Sequence, residues 1–257
     1  MAEHNRFRFE EIAEKFKFAG EYIEAKPYGF GHINDTYAIY FRKPDGNIHR
    51  YILQRINTNV FKCPEQLMRN IEMVTSHLRE KIIQSGGDPI RNTLNIIPAA
   101  DSKSFYKSPE GDYWRAYIFI ENAKTYQVAE SRHHFYNAGK AFGKFQELLA
   151  DFPAEKLSET IPDFHNTPKR FKAFIDAVEK DVMNRAAEVR AEIDFVLKRE
   201  NDTRVLIELN NQGKLPLRVT HNDTKFNNVM IDDVTGEGIC VIDLDTVMPG
   251  FSLYDFG

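Results

Sequence analysis

Residues 219–250 read "VTHNDTKFNNVMIDDVTGEGICVIDLDTVMPG", with His221, Asp223, Asn228, Asp243 and Asp245 set between short β-forming runs. Residues 219–220, 229–231 and 239–242 are those runs, so the polar residues fall on loops at strand ends, where a rigid scaffold ordinarily presents catalytic groups. Asp223 offers a carboxylate able to accept a proton. Asn228 and, beyond a hairpin, Asp243 offer a pair of hard oxygens suited to a divalent cation. Such equipment serves phosphoryl transfer, because Mg2+ is usually held by only one or two protein carboxylates besides the phosphates themselves. Asp245 shares a face with Asp243 if the segment is extended, and is then a second ligand or a contact to the acceptor. An isolated Asp-x-x-x-x-Asn is usually a turn or a cap, so the reading depends on the elements around it.

Those elements divide the chain. Phe7, Phe9, Ile12 and Phe16 predict a short amphipathic helix, and residues 22–55 predict an antiparallel meander with a Pro-Asp-Gly turn at 44–46. Pro64 opens a helix whose Leu67, Ile71, Val74, Leu78 and Ile82 lie on one face. Strands follow at 104–108 and 113–120. Beyond Glu121 and Asn122 the pattern turns helical, with long helices expected over 136–152 and 171–212 and a charged amphipathic helix at 185–200. The expected fold class is α+β with two lobes, 1–121 and 122–257.

The string "HNDTKFNN" followed by "VIDLD" resembles the H-x-D-x-x-x-x-N loop and metal aspartate of the aminoglycoside phosphotransferase and choline kinase superfamily, relatives of the protein kinases. The longer wording of 219–250, with "YILQRIN" and "NVF" at 51–61, looks most like its N-acetylhexosamine 1-kinase branch. The resemblance implies a two-lobed protein-kinase-like fold, ATP and Mg2+ as cofactors, and phosphorylation of a small-molecule hydroxyl, foremost the anomeric hydroxyl of an amino sugar such as GlcNAc or GalNAc. Choline, homoserine, methylthioribose and aminoglycosides are the alternative acceptors. By this resemblance Asp223 is the base, His221 braces the loop, and Asn228 and Asp243 hold Mg2+, with Asp245 as a further ligand.

On the nucleotide side, "GFGHIND" at 29–35 stands as the covering loop, with Gly29 and Gly31 admitting phosphate and Asn34, Asp35 and Thr36 offering polar contacts. Asn34 replaces the third glycine of the protein-kinase pattern. The strand that should carry a phosphate-binding lysine has none. Gln54 sits at the simplest alignment and Arg55 beside it on the opposite face, and the need for cationic charge favours Arg55, with Glu65 or Glu72 as its ionic partner. Glu121 and Asn122 form the hinge whose backbone meets adenine. The final "YDFG" places Asp255 as a structural anchor rather than the metal ligand, and the resemblance implies further helices beyond residue 257. The absent lysine and the early end also admit a nucleotide- or sugar-binding pseudokinase.

Composition restricts the partners. A formal net charge of −4 supplies no basic field for a nucleic-acid backbone. Cys63 and Cys240 stand apart, without His or Cys at metal-ligand spacing, which suggests neither a zinc site nor a disulfide framework and fits a cytoplasmic setting. A charged N-terminus and the lack of a long apolar run argue against export and membrane insertion. The sequence leaves the oligomeric state open.

Overall fold

The computed structural model describes residues 7–29, 31 and 33–256. A short helix α1 (Phe9–Ala13) precedes the meander β1 (Glu21–Pro27), β2 (Asp35–Arg42) and β3 (Ile48–Ile56). Helix α2 (Pro64–Gln84) follows, then β4 (Ile96–Ile97), β5 (Tyr106–Lys107) and β6 (Tyr113–Ile118). These strands form one sheet in the order β1-β2-β3-β6-β4, with β5 paired to β6 and every pairing antiparallel.

Strand alternation gives this sheet two different faces. Ile39, Phe41, Leu53, Trp114 and Ala116 face outward and are covered by Phe7, Phe9, Ala13, Phe16 and Phe18 of the N-terminal segment. Phe7 meets the Trp114 ring edge-on at 5.1 Å. The opposite face contributes Ile52, Ile56, Tyr113 and Tyr117 to the main core, where they pack with Leu67, Ile71, Val74 and Leu78 of α2. That core continues into the helical lobe through Phe145, Val219, Val229 and Leu244. Asn70 on α2, fully buried, donates to the carbonyls of Ser158 at 2.7 Å and Val247 at 3.0 Å and accepts from the Ser158 amide at 2.9 Å. Its amide is thus satisfied only by the helical lobe, which ties α2 to that lobe.

The second lobe begins with β7 (Ala123–Lys124) and α3 (Arg132–Leu148), continues through α4 (Thr167–Lys180), α5 (Arg190–Leu197) and α6 (Val205–Asn211), and ends in short strands. These are β8 (Arg218–Thr220), β9 (Val229–Asp232), β10 (Gly238–Val241) and β11 (Met248–Gly250), with α7 (Leu253–Phe256) last. The expected two-lobed α+β architecture is present. The long helix expected over 171–212 is instead broken: α4 stops where Asp181 turns left-handed at φ 32°, and a 3-10 turn at 186–189 leads into the eight residues of α5. Helical periodicity registers apolar spacing and does not see where a backbone turns out of register. Among the described residues no helix is long and apolar enough to cross a membrane.

Candidate active site

Strand β8 leads into the loop of His221 and Asp223, and a 3-10 turn at Phe226–Asn228 returns the chain into β9. Antiparallel β9 and β10 then deliver the chain to Asp243. The amide of Ile242 donates to the carbonyl of Asn228 at 2.9 Å, so the two halves of the site are joined through their backbones.

His221 has no solvent exposure. Its Nε2 lies 2.9 Å from the carbonyl of Ile242, and its Nδ1 accepts from the Asp223 amide at 3.3 Å, which requires the proton on Nε2. Phe142 and Phe145 meet the ring edge-on at 5.4 and 5.8 Å. Burial lowers its proton affinity, and the bond to Ile242 and nearby acidic charge only partly oppose that. A neutral, doubly bonded, apolar-walled imidazole braces the loop.

Asp255 braces it from below. Its carboxylate accepts from the amides of His221 and Asn222, each at 2.8 Å, and from the side chain of Gln146, while its carbonyl accepts from Thr224 Oγ1 at 3.1 Å. Asn222 occupies the left-handed region at φ 65° and donates to the carbonyls of Thr220 at 3.2 Å and Thr246 at 2.8 Å. Thr246 Oγ1 returns a bond to the His221 carbonyl at 2.6 Å. Gly250 is required where β11 crosses β8, because a Cβ there would collide with Thr220 Oγ1.

Asp223 stands half-buried on this support. Its Oδ2 receives Asn228 Nδ2 at 3.1 Å and lies 2.7 Å from Lys225 Nζ. Oδ1 carries no such contact among the described residues, so it is the oxygen available to a proton. Lys225 is not among the residues expected at the site, although a lysine two residues beyond Asp223 is a visible signal. Asn228 also donates Nδ2 to the Asp223 carbonyl at 2.8 Å, which commits its nitrogen and leaves Oδ1 as a hard donor.

Asp243 reaches solvent on one side but is enclosed by protein atoms on the others. That burial, with the charge of Asp245 next, pushes its carboxyl up to about 6. Its backbone is left-handed at φ 60°, ψ 55°, a costly conformation for aspartate that the surrounding bonds must hold. A carboxylate destabilised by enclosure and like charge suits a divalent cation. Among the described residues no group of three or more His, Cys, Asp or Glu could hold a metal alone. A cation at Asn228 and Asp243 therefore needs oxygens from a bound phosphate chain, as Mg2+ commonly does.

Asp245 departs from its expected role. The segment is not extended: Asp243 is left-handed and Leu244–Thr246 forms a 3-10 turn, which swings Asp245 into the sheet. Its side chain is 4% exposed, with Oδ1 2.5 Å from Arg115 Nη1, and its Oδ2 receives Asn34 Nδ2 at 2.6 Å. Oδ2 is thus committed to Asn34, and Oδ1 faces the Arg115 guanidinium. Burial alone would weaken the Arg115 guanidinium's hold on its proton, and the charge of Asp245 more than reverses that.

Gln54 and Arg55 lie on opposite faces of β3, as their adjacency requires. Thr36, Gln54 and Arg115 are register partners on adjacent strands and share the face toward the helical lobe. Arg115 Nε donates to Gln54 Oε1 at 3.0 Å, and Gln54 Nε2 donates to Thr36 Oγ1 at 2.9 Å. Arg55 points to the outer face, where it pairs with Asp35 at 2.5 Å and Asp112 at 2.9 Å and lies 5.1 Å from the Phe7 ring. Glu72 is on the exposed side of α2, and Glu65 accepts from the Tyr113 hydroxyl, so neither pairs with Arg55. The cation on the site-facing side is Arg115, from β6. An arginine in the middle of an apolar strand was its signal.

Gly29 lies at φ 81° and, like Gly31, has open space where a Cβ would stand, while Phe30 and His32 of the same loop lie outside the described residues. At the hinge, the Glu121 side chain pairs with Arg50 at 2.7 Å and its carbonyl accepts from the Arg91 guanidinium. Arg91 also bonds Asp232 at 2.7 Å. One carbonyl of the hinge whose backbone is expected to meet adenine thus accepts a bond within the protein. Ile120, Ala123, Met230 and Cys240 form a small apolar cluster beside it, joined by Ile239 and Ile242.

A sheet-bearing lobe and a helical lobe, with a loop-borne aspartate, asparagine and second aspartate near their junction, define a kinase-like phosphotransferase fold. The model of the Phosphotransferase enzyme family matches residues 24–257, and the chain belongs to that family. Among solved structures, it is similar to an amicoumacin kinase in complex with AMP-PNP and Ca2+ at 14% identity and a TM-score of 0.57, covering 96% of this chain and 65% of that one. A spectinomycin phosphotransferase in complex with ADP and spectinomycin matches at 15% identity and a TM-score of 0.55, covering 96% and 71%. An aminoglycoside phosphotransferase from Alicyclobacillus acidocaldarius matches at 12% identity and a TM-score of 0.55, covering 95% and 67%. The chain spans about two thirds of the length of these proteins.

Proposed function

We propose that this chain carries the ATP- and Mg2+-dependent site of a kinase that phosphorylates a hydroxyl group of a small molecule. The observation that carries the reading is Asp223: a carboxylate with one oxygen held by Asn228 and Lys225 and the other available, on a loop braced by His221 and Asp255. Asp223 orients the acceptor hydroxyl and takes its proton at Oδ1. Lys225 holds positive charge beside that carboxylate. Asn228 and Asp243 are the residues that would hold Mg2+. When bound, the ion would offset charge on the nucleotide phosphates. Gly29 and Gly31 leave room for phosphate under the loop, and the cluster of Ile120, Ala123 and Met230 offers an apolar surface to the base. No covalent enzyme intermediate is required, so positioning and charge carry the catalysis.

The acceptor has two readings. Family membership and the names of the similar structures, which act on amicoumacin and spectinomycin, favour the broader set that includes aminoglycosides and choline. The wording of residues 219–250 favours an N-acetylhexosamine phosphorylated at its anomeric hydroxyl. Lys225, 2.7 Å from the base, weighs the same way, because its charge opposes a polycationic acceptor. Phosphate transfer from ATP across GlcNAc, GalNAc, choline, homoserine, methylthioribose, spectinomycin and kanamycin separates the two. With the acceptor found, Asp223→Asn should lower turnover by roughly 10²- to 10⁴-fold, the usual contribution of a general base, with nucleotide affinity kept. Normal turnover in that variant would remove Asp223 from the mechanism. Nucleotide binding without ATP consumption on any acceptor would instead favour a pseudokinase.

A further inference from the structure

We propose that Arg115 is a positioning residue of this site: through Asp245 it couples the small-lobe sheet and the glycine-bearing loop to the segment that carries Asp243. The inference rests on the phosphotransferase reading and adds to it a residue outside the loop motif.

Arg115 is 2% exposed and cannot itself present charge to a nucleotide. A buried ion pair is also a weak source of stability, since apolar residues of similar volume often do as well, whereas a pair bonded at every end sets orientation. Arg115 and Asp245 form a close buried ion pair whose two members are each also held by a neighbour. Gln54 holds the guanidinium at Nε at 3.0 Å and is itself bonded to Thr36 at 2.9 Å. Asp245 meets Arg115 through Oδ1 at 2.5 Å and Asn34 through Oδ2 at 2.6 Å. Asn34 accepts from the Asn57 amide at 2.9 Å, just past β3. The series therefore starts on β2 at Thr36 and returns to the small lobe at Asn57, and Asp245 is its only member from the other lobe.

The same short segment is fixed by the core, by the loop of His221 and by α2. Leu244 is in the core, Thr246 bonds His221, and the Val247 carbonyl accepts from Asn70. Asp243, left-handed and one residue before this anchored turn, has little freedom of its own. The loop at Asn34 and the segment that carries Asp243 thus meet at one side chain, that of Asp245, held by Arg115 and Asn34. A phosphate chain lying between the loop and a cation on Asp243 needs both at a fixed separation.

The test compares wild type, Asn34→Ala and Arg115→Lys by calorimetric titration with AMP-PNP, in Mg2+ and in EDTA, alongside thermal unfolding. Asn34→Ala removes the loop's bond to Asp245, and Arg115→Lys keeps the charge but loses the bond to Gln54. Whatever affinity each keeps in EDTA, both should lose about tenfold or more of the affinity gained with Mg2+, the scale of one hydrogen bond to a charged group. A full Mg2+-dependent gain in both variants, with or without a lower unfolding temperature, would overturn the coupling. If Arg115→Lys fails to fold, Asn34→Ala decides alone. A wild type that binds no AMP-PNP would overturn the phosphotransferase reading itself, whereas a wild-type gain that persists in the variants overturns only this inference.

Discussion

Asp255 belongs to a Tyr-Asp-Phe-Gly string that resembles a kinase metal motif in its letters, yet its carboxylate is committed to the amides of His221 and Asn222 at 2.8 Å. Asp255→Ala orphans both N–H groups beneath the catalytic loop. A hydrogen bond to a charged group contributes roughly 1.5–3 kcal/mol, and because Asp255 is only half-buried the lower end applies, about 3 kcal/mol for the two. At roughly 2–4 °C per kcal/mol for a chain of this size, the unfolding midpoint should fall by about 6–12 °C. Asp255→Asn should fall by about half as much, since one oxygen remains to accept while the amide nitrogen faces an N–H. Thermal unfolding by circular dichroism measures both, and AMP-PNP titration with Mg2+ measures whether the cation requirement changes. An unshifted midpoint together with a lost Mg2+ requirement would refute the reasoning, because it would make Asp255 a ligand and not an anchor.

Two further outcomes are expected. His221 has a proton affinity lowered mainly by burial, from an ordinary value of 6.5, so its neutral form contributes stability that is complete above that pH and declines as pH falls toward the lower folded-state value. Urea midpoints at pH 7.5 and 5.5 should differ more for wild type than for His221→Gln, and equal differences would show that the imidazole stays uninvolved. Arg55→Gln breaks two partly exposed ion pairs on the outer face of the sheet and should cost about 1 kcal/mol or less without altering nucleotide affinity. A tenfold loss of ATP affinity in that variant would return Arg55 to the phosphates.

Much of the site was legible because it is local. His221, Asp223 and Asn228 fall within eight residues on a loop between strands whose β-forming character is plain, and the roles proposed for them rest on the resemblance of that string. The meander, α2 and the short strands around the loop were legible for the same reason: period two and period 3.6 are local signals. The broken stretch after α4 was not, since Asp181 and the turn at 186–189 interrupt a pattern that reads as continuously amphipathic.

The sequence by itself determined the two-lobed fold class and the loop of the candidate site, because these depend on neighbours along the chain. Tertiary structure alone decided which side chains meet them. Arg115 reaches Asp245 across 130 residues, and no spacing rule connects them. Asp245 does not share a face with Asp243 because the backbone between them coils, and Gln54 and Arg55 diverge because β3 places one on the inner face and the other on the outer. A buried charge must find its opposite wherever the fold brings one near, and that encounter is a property of packing.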